Sequence, residues 1–369
     1  MTAVTLTPGA PADVGIDAEQ LERAAGLLTG HVAAGDISAA SLFVARRGVS
    51  VMSRGFGRLR PEARAPAVDG DSIFLLASIT KPVTACAMML LVDEGLISLD
   101  DKVQQHLPEF TGWDKAKITV RQLLSHVSGM PDMLPENTAL RRAHRPMSAF
   151  VAGALRTQLL FQPGTDFSYQ SKGILLAAEI VERITGQRLR NVEKARIFQP
   201  LGMDRSCLGI DDFEIQDTVW AGTSMHQDPD PYSFGQNSTY WRDFGCPWGG
   251  MHSTGPDLGK LLQCVLNGGI YGDQRIFSLA AAEAMISDQN PPALDAPWGL
   301  GWALRDSKVW AFFGEQVSAD TFGHVGATGT VAWADPATDL ICVCLTNVKI
   351  QDGSLLRRVS NAVAAAVID

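Results

Sequence analysis

The chain has 369 residues, of which 46% are apolar and 19% charged, enough for a large core and too apolar for a disordered protein. Its length corresponds to roughly two to three domains of ordinary size. With 31 basic and 40 acidic residues the net charge is −9, which argues against a dedicated nucleic-acid binder with its basic face and mostly serves solubility.

Residues 1–17 have no basic start followed by an apolar run, so they do not read as a secretory signal. The longest apolar stretches, near Ala85–Leu91 and Val363–Val367, are too short to span a membrane. The six cysteines (Cys86, Cys207, Cys246, Cys264, Cys342, Cys344) show no pairing pattern. Reduced, mostly buried thiols in a cytoplasmic protein are expected.

Asp17 to Ala34 reads as an amphipathic helix capped by Asp17 and closed by Gly35. Ile37 to Arg46 and Val49 to Phe56 read as antiparallel strands joined at Gly48. Ile79 to Glu94 is apolar nearly all round, so a buried helix is expected, with Pro82 early enough to be tolerated. Thr119 to His126, Gly173 to Thr185 and Gly255 to Leu266 have helical spacing. Asp212 to Trp248 lacks periodicity and reads as a long loop, a length that usually signals function. Strands are expected at Trp302 to Leu304, Val309 to Phe313, Thr330 to Asp335 and Leu340 to Leu345, and a closing helix at Leu355 to Val367. The continuous apolar run of Leu340 to Leu345 suits a sheet buried on both faces. This order predicts an α/β domain built from both chain ends, residues 1–100 and 258–369, around a helical domain at 101–257.

Several enzyme signatures are absent. There is no Gly-x-Ser-x-Gly elbow, no Walker loop, no dinucleotide fingerprint and no His-Glu-x-x-His helix, and the seven histidines lack metal-ligand spacing. What is present is Ser78-Ile79-Thr80-Lys81 at the head of the apolar helix. Residues three apart share a helix face, so Lys81 can reach the Ser78 hydroxyl. Burial lowers an ammonium's pKa and can leave an amine able to take a proton. Backbone N–H groups at a helix start can stabilise an oxyanion. Alone, Ser-x-x-Lys also fits a helix cap followed by a surface lysine. Two further segments add weight. Pro163 to Ser171 presents Tyr169 and Ser171 two apart on a loop before a helix. Gly323-His324-Val325-Gly326-Ala327-Thr328-Gly329-Thr330 lies at a strand start, with glycines that would let a substrate backbone approach.

Together these resemble the serine β-lactamase and penicillin-recognising superfamily, whose motifs include Ser-x-x-Lys and Lys-Thr-Gly. The chain looks most like the class C branch, with its Tyr-x-Asn element. Within that branch it is similar to family VIII carboxylesterases and D-aminopeptidase-like hydrolases. Residues 118–129, Pro200-Leu201-Gly202-Met203, residues 249–254 and Trp298-Gly299-Leu300-Gly301-Trp302 also look like the family. The resemblance implies a β-lactamase-like α/β (α+β) fold: an antiparallel sheet flanked by helices, with a mostly helical insertion.

It also implies roles. Ser78 would be the acylated nucleophile, Lys81 its activating partner, and Tyr169 a proton shuttle biased toward ionisation by the neighbouring ammonium. The N–H groups of Ser78 and Ala327 would form the oxyanion hole. Two departures stand out. Ser171 replaces the family asparagine, and His324-Val325-Gly326 replaces Lys-Thr-Gly. The missing lysine weakens attraction to a drug carboxylate, so an esterase is favoured over a β-lactamase.

Ser171, His324, Gly326, Trp241 and Trp248 are the candidate substrate-binding residues; for each tryptophan ordinary packing is the alternative. His324 fits a strand-edge hydrogen bond near Tyr169 about as well as substrate contact. His126 reads as a structural loop anchor, His252 and Ser253 as a turn, and Asp320 as a neighbour able to tune His324. The resulting expectation is a serine hydrolase that needs no cofactor or metal, acting through an acyl-enzyme on esters with small or medium acyl groups. A β-lactamase, a D-amino-acid peptidase or amidase, an acyltransferase and a non-catalytic ligand binder are the alternatives. The partner would be a small-molecule ester or amide, with no nucleic acid and no membrane span; a homo-oligomer is compatible with the sequence.

Overall fold

A computed structural model describes residues 3–62, 64–211, 213–222, 233–348 and 353–369. The strands are β1 (Thr7–Pro8), β2 (Ala39–Arg46), β3 (Val49–Gly57), β4 (Phe74–Leu75), β5 (Cys207–Leu208), β6 (Met251–Ser253), β7 (Ile270–Tyr271), β8 (Gln274–Arg275), β9 (Ala303–Leu304), β10 (Phe322–Gly326), β11 (Thr330–Asp335) and β12 (Leu340–Thr346). The main sheet runs β1-β3-β2-β12-β11-β10-β9, so its strands come from both ends of the chain. It is antiparallel except at one edge, where β1 lies parallel to β3.

Every residue of β2 and β12 is buried, because both faces of the sheet are covered. Side chains alternate between those faces. Ile341, Val343 and Leu345 join one core cluster while Cys342 and Cys344 join the other. Helices Ala18–Ala34 and Ser354–Ala364 cover the second face. Helix Gly255–Leu266 lies on the first, and a side chain at Gly259 would collide with the Phe43 ring. All six cysteines are buried thiols. No described helix is long and apolar enough to cross a membrane.

Helix Thr80–Asp93 is buried from Thr80 through Leu91, as its all-round apolar sequence requires. It belongs to the same core cluster as the inserted helices, including Lys172–Thr185. A second sheet, β4-β6-β5, ties residues just before Ser78 to residues just after Trp248.

Three local expectations are corrected. Val309 to Phe313 is not a strand, because Trp310 takes φ +56° and leaves extended geometry; the strand beside β11 is β10, which carries His324. The expected loop from Asp212 to Trp248 contains helix Thr239–Phe244, capped by the Ser238 hydroxyl accepting from Trp241 N at 3.1 Å. Residues 212 and 223–232 of that loop lie outside the described residues. His252 and Ser253 are on β6 rather than in a turn.

Candidate active site

Strand β4 delivers the chain to Ser78 through a sharp bend. Leu76 N donates to Met251 O at 2.9 Å, and Ala77 then takes φ +51°. An alanine in this left-handed region costs about 1–3 kcal/mol and needs surrounding support. Thr80 supplies part of it by donating to Ala77 O at 2.7 Å and accepting from Met251 N at 3.0 Å. The turn after β10 supplies more. Thr328 and Thr330 hydroxyls donate to Leu75 O and Leu76 O, each at 2.8 Å. The bend leaves Ser78 half-buried at the head of a buried helix.

Lys81 is one turn further on and only 1% exposed. Its Nζ lies 3.0 Å from Ser78 Oγ and donates to Trp248 O at 3.0 Å. Burial pulls its pKa down from 10.5 to about 8; Asp132 opposes this shift and Lys172 adds to it. An amine in this setting can take a proton from a hydroxyl at hydrogen-bond distance.

Tyr169 is held by its neighbours in sequence. Ser168 N donates to His126 O at 3.0 Å and Gln170 N to His126 Nδ1 at 3.4 Å. His126 thus anchors a loop, as its sequence setting suggests, and that loop carries Tyr169. The Tyr169 ring packs against His126 (4.7 Å between centroids), Trp310 (5.4 Å) and Trp298 (5.8 Å). Lys81 Nζ lies over the ring face, 4.8 Å from its centroid. The phenol hydroxyl is buried without a well-aligned hydrogen bond. Burial raises its pKa well above 10, while the adjacent Ser78 hydroxyl draws it down. This corrects the expectation of a phenol biased toward ionisation: the ammonium faces the ring, and burial dominates at the oxygen.

Tyr169 and Ser171 do not share one extended loop. Ser171 already has helical φ and ψ, and its hydroxyl donates to Asp132 Oδ1 at 2.7 Å. The next side chain, Lys172, is fully buried. Its Nζ lies 4.4 Å from the centroid of the Trp248 indole and has no hydrogen-bond partner. Burial brings its pKa to about 8 as well. Asp132 and Lys172 escaped the sequence reading, although Lys172 gives the same signal as Lys81, a lysine at the head of an apolar helix.

The structure brings Trp248 to this cluster through both its carbonyl and its indole. The described ring contacts of Trp241 run elsewhere, to Phe244 (5.6 Å, stacked) and to the Arg141 guanidinium at 3.8 Å.

His324 lies on β10, 1% exposed, with its ring 6.0 Å from that of Tyr169. Its Nδ1 lies 2.8 Å from both the N and the O of Val325, and its buried Nε2 has no partner. Burial, aided by the Lys81 charge, holds its pKa at about 3, so the ring is neutral. Asp320 is exposed and its N donates to Ser318 Oγ at 3.3 Å; the causes of the His324 shift lie elsewhere. Gly326 has a role within the fold. A side chain there would collide with Leu76 O and Thr330 Oγ1, so the backbone approaching this glycine is the chain's own. Ala327 follows in the turn, partly exposed, and the two threonine bonds hold that turn against the Ser78 segment.

The sequence and the fold are similar to those of known proteins. The family described as Beta-lactamase matches residues 24–365. A Salmonella agona protein named for D-alanyl-D-alanine carboxypeptidase activity is 27% identical, over 93% of this chain and 86% of its own length. A penicillin-binding-protein homologue from Caulobacter crescentus superposes with TM-score 0.78 at 24% identity, covering 95% of this chain and 98% of the other. A family VIII carboxylesterase superposes with TM-score 0.77 at 22% identity, covering 95% and 99%. With the matched region spanning nearly the whole chain, the protein belongs to the β-lactamase family of serine hydrolases.

Proposed function

We propose that the protein is a carboxylesterase that cleaves small or medium acyl esters through an acyl-enzyme on Ser78. The observation that carries this reading is the pairing of Ser78 Oγ with the fully buried Lys81 Nζ at 3.0 Å. In acylation, Ser78 Oγ bonds to the ester carbon and its proton passes to Lys81. The carbonyl oxygen becomes an oxyanion facing the Ser78 and Ala327 N–H groups. Collapse breaks the bond to the alcohol oxygen, which takes a proton from the neutral Tyr169 phenol; the proton held by Lys81 then reaches the Tyr169 phenolate by way of the entering water. Deacylation repeats these steps with water as nucleophile and Ser78 Oγ as leaving group. Lys81 is therefore the base and Tyr169 the acid, an assignment supported by their opposite pKa shifts.

Esters are favoured because no charge stands at the third motif. His324 is buried and neutral where a penicillin-handling relative would carry a lysine. Trp248 borders the cluster as a candidate acyl-pocket wall, while the ring contacts of Trp241 run to Phe244 and Arg141. The Salmonella relative favours a second reading, in which the same groups cleave a D-amino-acid peptide bond.

Initial rates on p-nitrophenyl butyrate, a chromogenic cephalosporin and a D-alanyl-D-alanine peptide separate these readings, with Ser78→Ala as control. Fast ester cleavage that vanishes in the control is expected. Peptide cleavage faster than ester cleavage would establish the second reading, and activity retained in Ser78→Ala would overturn both.

A further inference from the structure

Lys172 is the feature of the site that the mechanism above does not use. It opens helix Lys172–Thr185, yet its side chain is wholly buried. Its Nζ makes no hydrogen bond. Lys81 and Lys172 converge on one residue: Lys81 Nζ donates to the Trp248 carbonyl at 3.0 Å, and Lys172 Nζ stands over the Trp248 indole at 4.4 Å. Two ammonium groups converging on one residue in a desolvated region disfavour each other's charge, and the Lys172 charge adds to the lowering of the Lys81 pKa. They bind protons as a pair rather than singly, as two carboxylates do in an acid dyad.

Their surroundings decide which nitrogen holds the first proton. Lys172 faces the indole π-surface, which attracts a cation and gives a neutral amine nothing comparable. It also feels two carboxylates, Asp132 and Glu136. Lys81 feels Asp132 alone, and its Nζ meets the Ser78 hydroxyl, a group an amine can accept from. The remaining groups around the pair do not supply an anion. His126 and His324 are buried and held neutral, Tyr169 is a phenol of raised pKa, and Cys246 is a buried thiol pushed up to about 12. Asp132 is exposed and already accepts from Ser171, so solvent screens its pull on both lysines.

We propose that Lys172 is a positioning residue for the reaction: its ammonium, buried beside Lys81 without a hydrogen-bond partner, takes the proton the pair would otherwise place on Lys81 and so keeps Lys81 a free amine for Ser78. This rests on the reading of Lys81 as the base. Lys172 touches no reacting atom; it acts through its charge.

The test is the pH dependence of kcat/KM on p-nitrophenyl butyrate for the unsubstituted enzyme, Lys172→Met and Lys172→Arg. The rising acid limb should move up by about one pH unit in Lys172→Met, since Lys81 alone then holds its proton more tightly. In Lys172→Arg a permanent cation should keep the limb at or below its original position. Should the methionine variant not fold, Lys172→Gln replaces it with the same expected shift. A limb unmoved in every variant, even with reduced activity, would overturn the inference and leave Lys172 a packing residue. An unsubstituted enzyme with no rising limb would overturn the assignment of Lys81 as base, and this inference with it.

Discussion

Lys81 Nζ lies over the face of the Tyr169 ring, 4.8 Å from its centroid, and does not bond to the phenol hydroxyl. The amine is thereby aimed at Ser78, and the phenol keeps its proton. Burial drives the two groups in opposite directions, Lys81 down to about 8 and Tyr169 up. A pair of titrating groups pushed apart in this way divides base and acid roles between its members.

Activity should therefore rise with pH through a limb near 8, as Lys81 loses its proton. No limb is expected between 6 and 7, because His126 and His324 are held neutral well below that range. Initial rates between about pH 5.5 and 9.5, the span around these pKa values, check both points. A single limb near 6.5 would implicate a histidine and remove Lys81 from the base role.

The depressed pKa of Lys81 is also a statement about stability. The unfolded chain binds this proton more tightly, so stability rises as pH climbs from about 8 toward the unfolded value of 10.5, and the full penalty applies below 8. For a fully buried group the penalty is on the order of 3 kcal/mol. Lys81→Met should be inactive on esters yet melt at higher temperature than the unsubstituted protein at pH 7. A lower Tm would show that the bond to Trp248 O outweighs the cost of burying the charge.

Tyr169→Phe should leave packing intact, since the ring contacts with His126, Trp298 and Trp310 need no hydroxyl. Loss of a general acid lowers kcat by about 10²–10⁴-fold. The loss should shrink for esters whose leaving alcohol is strongly acidic, because such an alkoxide departs without a proton. An equal loss across leaving groups would remove Tyr169 from that step.

Much of this was legible in the sequence where the signal is local. Helix Gly255–Leu266 and strand β11 match their expected bounds, and β12 extends one residue beyond its own, because their apolar periods are long and uninterrupted. Ser78 and Lys81 are one helical turn apart, so their meeting follows from spacing. Helix Thr239–Phe244 is too short to show a period. Trp310 breaks the expected strand through packing against Tyr169 and Phe312, which spacing does not encode. The Ser171–Asp132 bond joins residues 39 positions apart, so only the folded chain reveals it. Gly326 carried the right signal, close backbone approach, and the backbone that approaches its Cβ position is that of Leu76.

Gly326→Ala should accordingly impair the enzyme by displacing the bend at Ala77, although no side chain of the site is removed. The added Cβ would strike Leu76 O, a backbone atom that is itself held by Thr330. The expected result is a fall in kcat with a lowered Tm, and slower acylation of Ser78 by a fluorophosphonate probe. Unchanged labelling and Tm would mean that the turn carrying Ala327 can shift without moving Ser78.

Asp132 offers the opposite sign. Its carboxylate is the largest influence favouring the charged forms of both Lys81 and Lys172. Asp132→Asn removes that charge while keeping an oxygen to accept from the Ser171 hydroxyl. The acid limb of kcat/KM should then move to lower pH, and the variant should outpace the unsubstituted enzyme below the limb. Because Asp132 is exposed, the shift should stay under about one unit and shrink as salt is raised from 0.05 to about 0.5 M, where the screening length falls below the span of the cluster. A limb moving upward would show that the Ser171–Asp132 bond acts by holding the head of helix Lys172–Thr185 in place, with charge secondary.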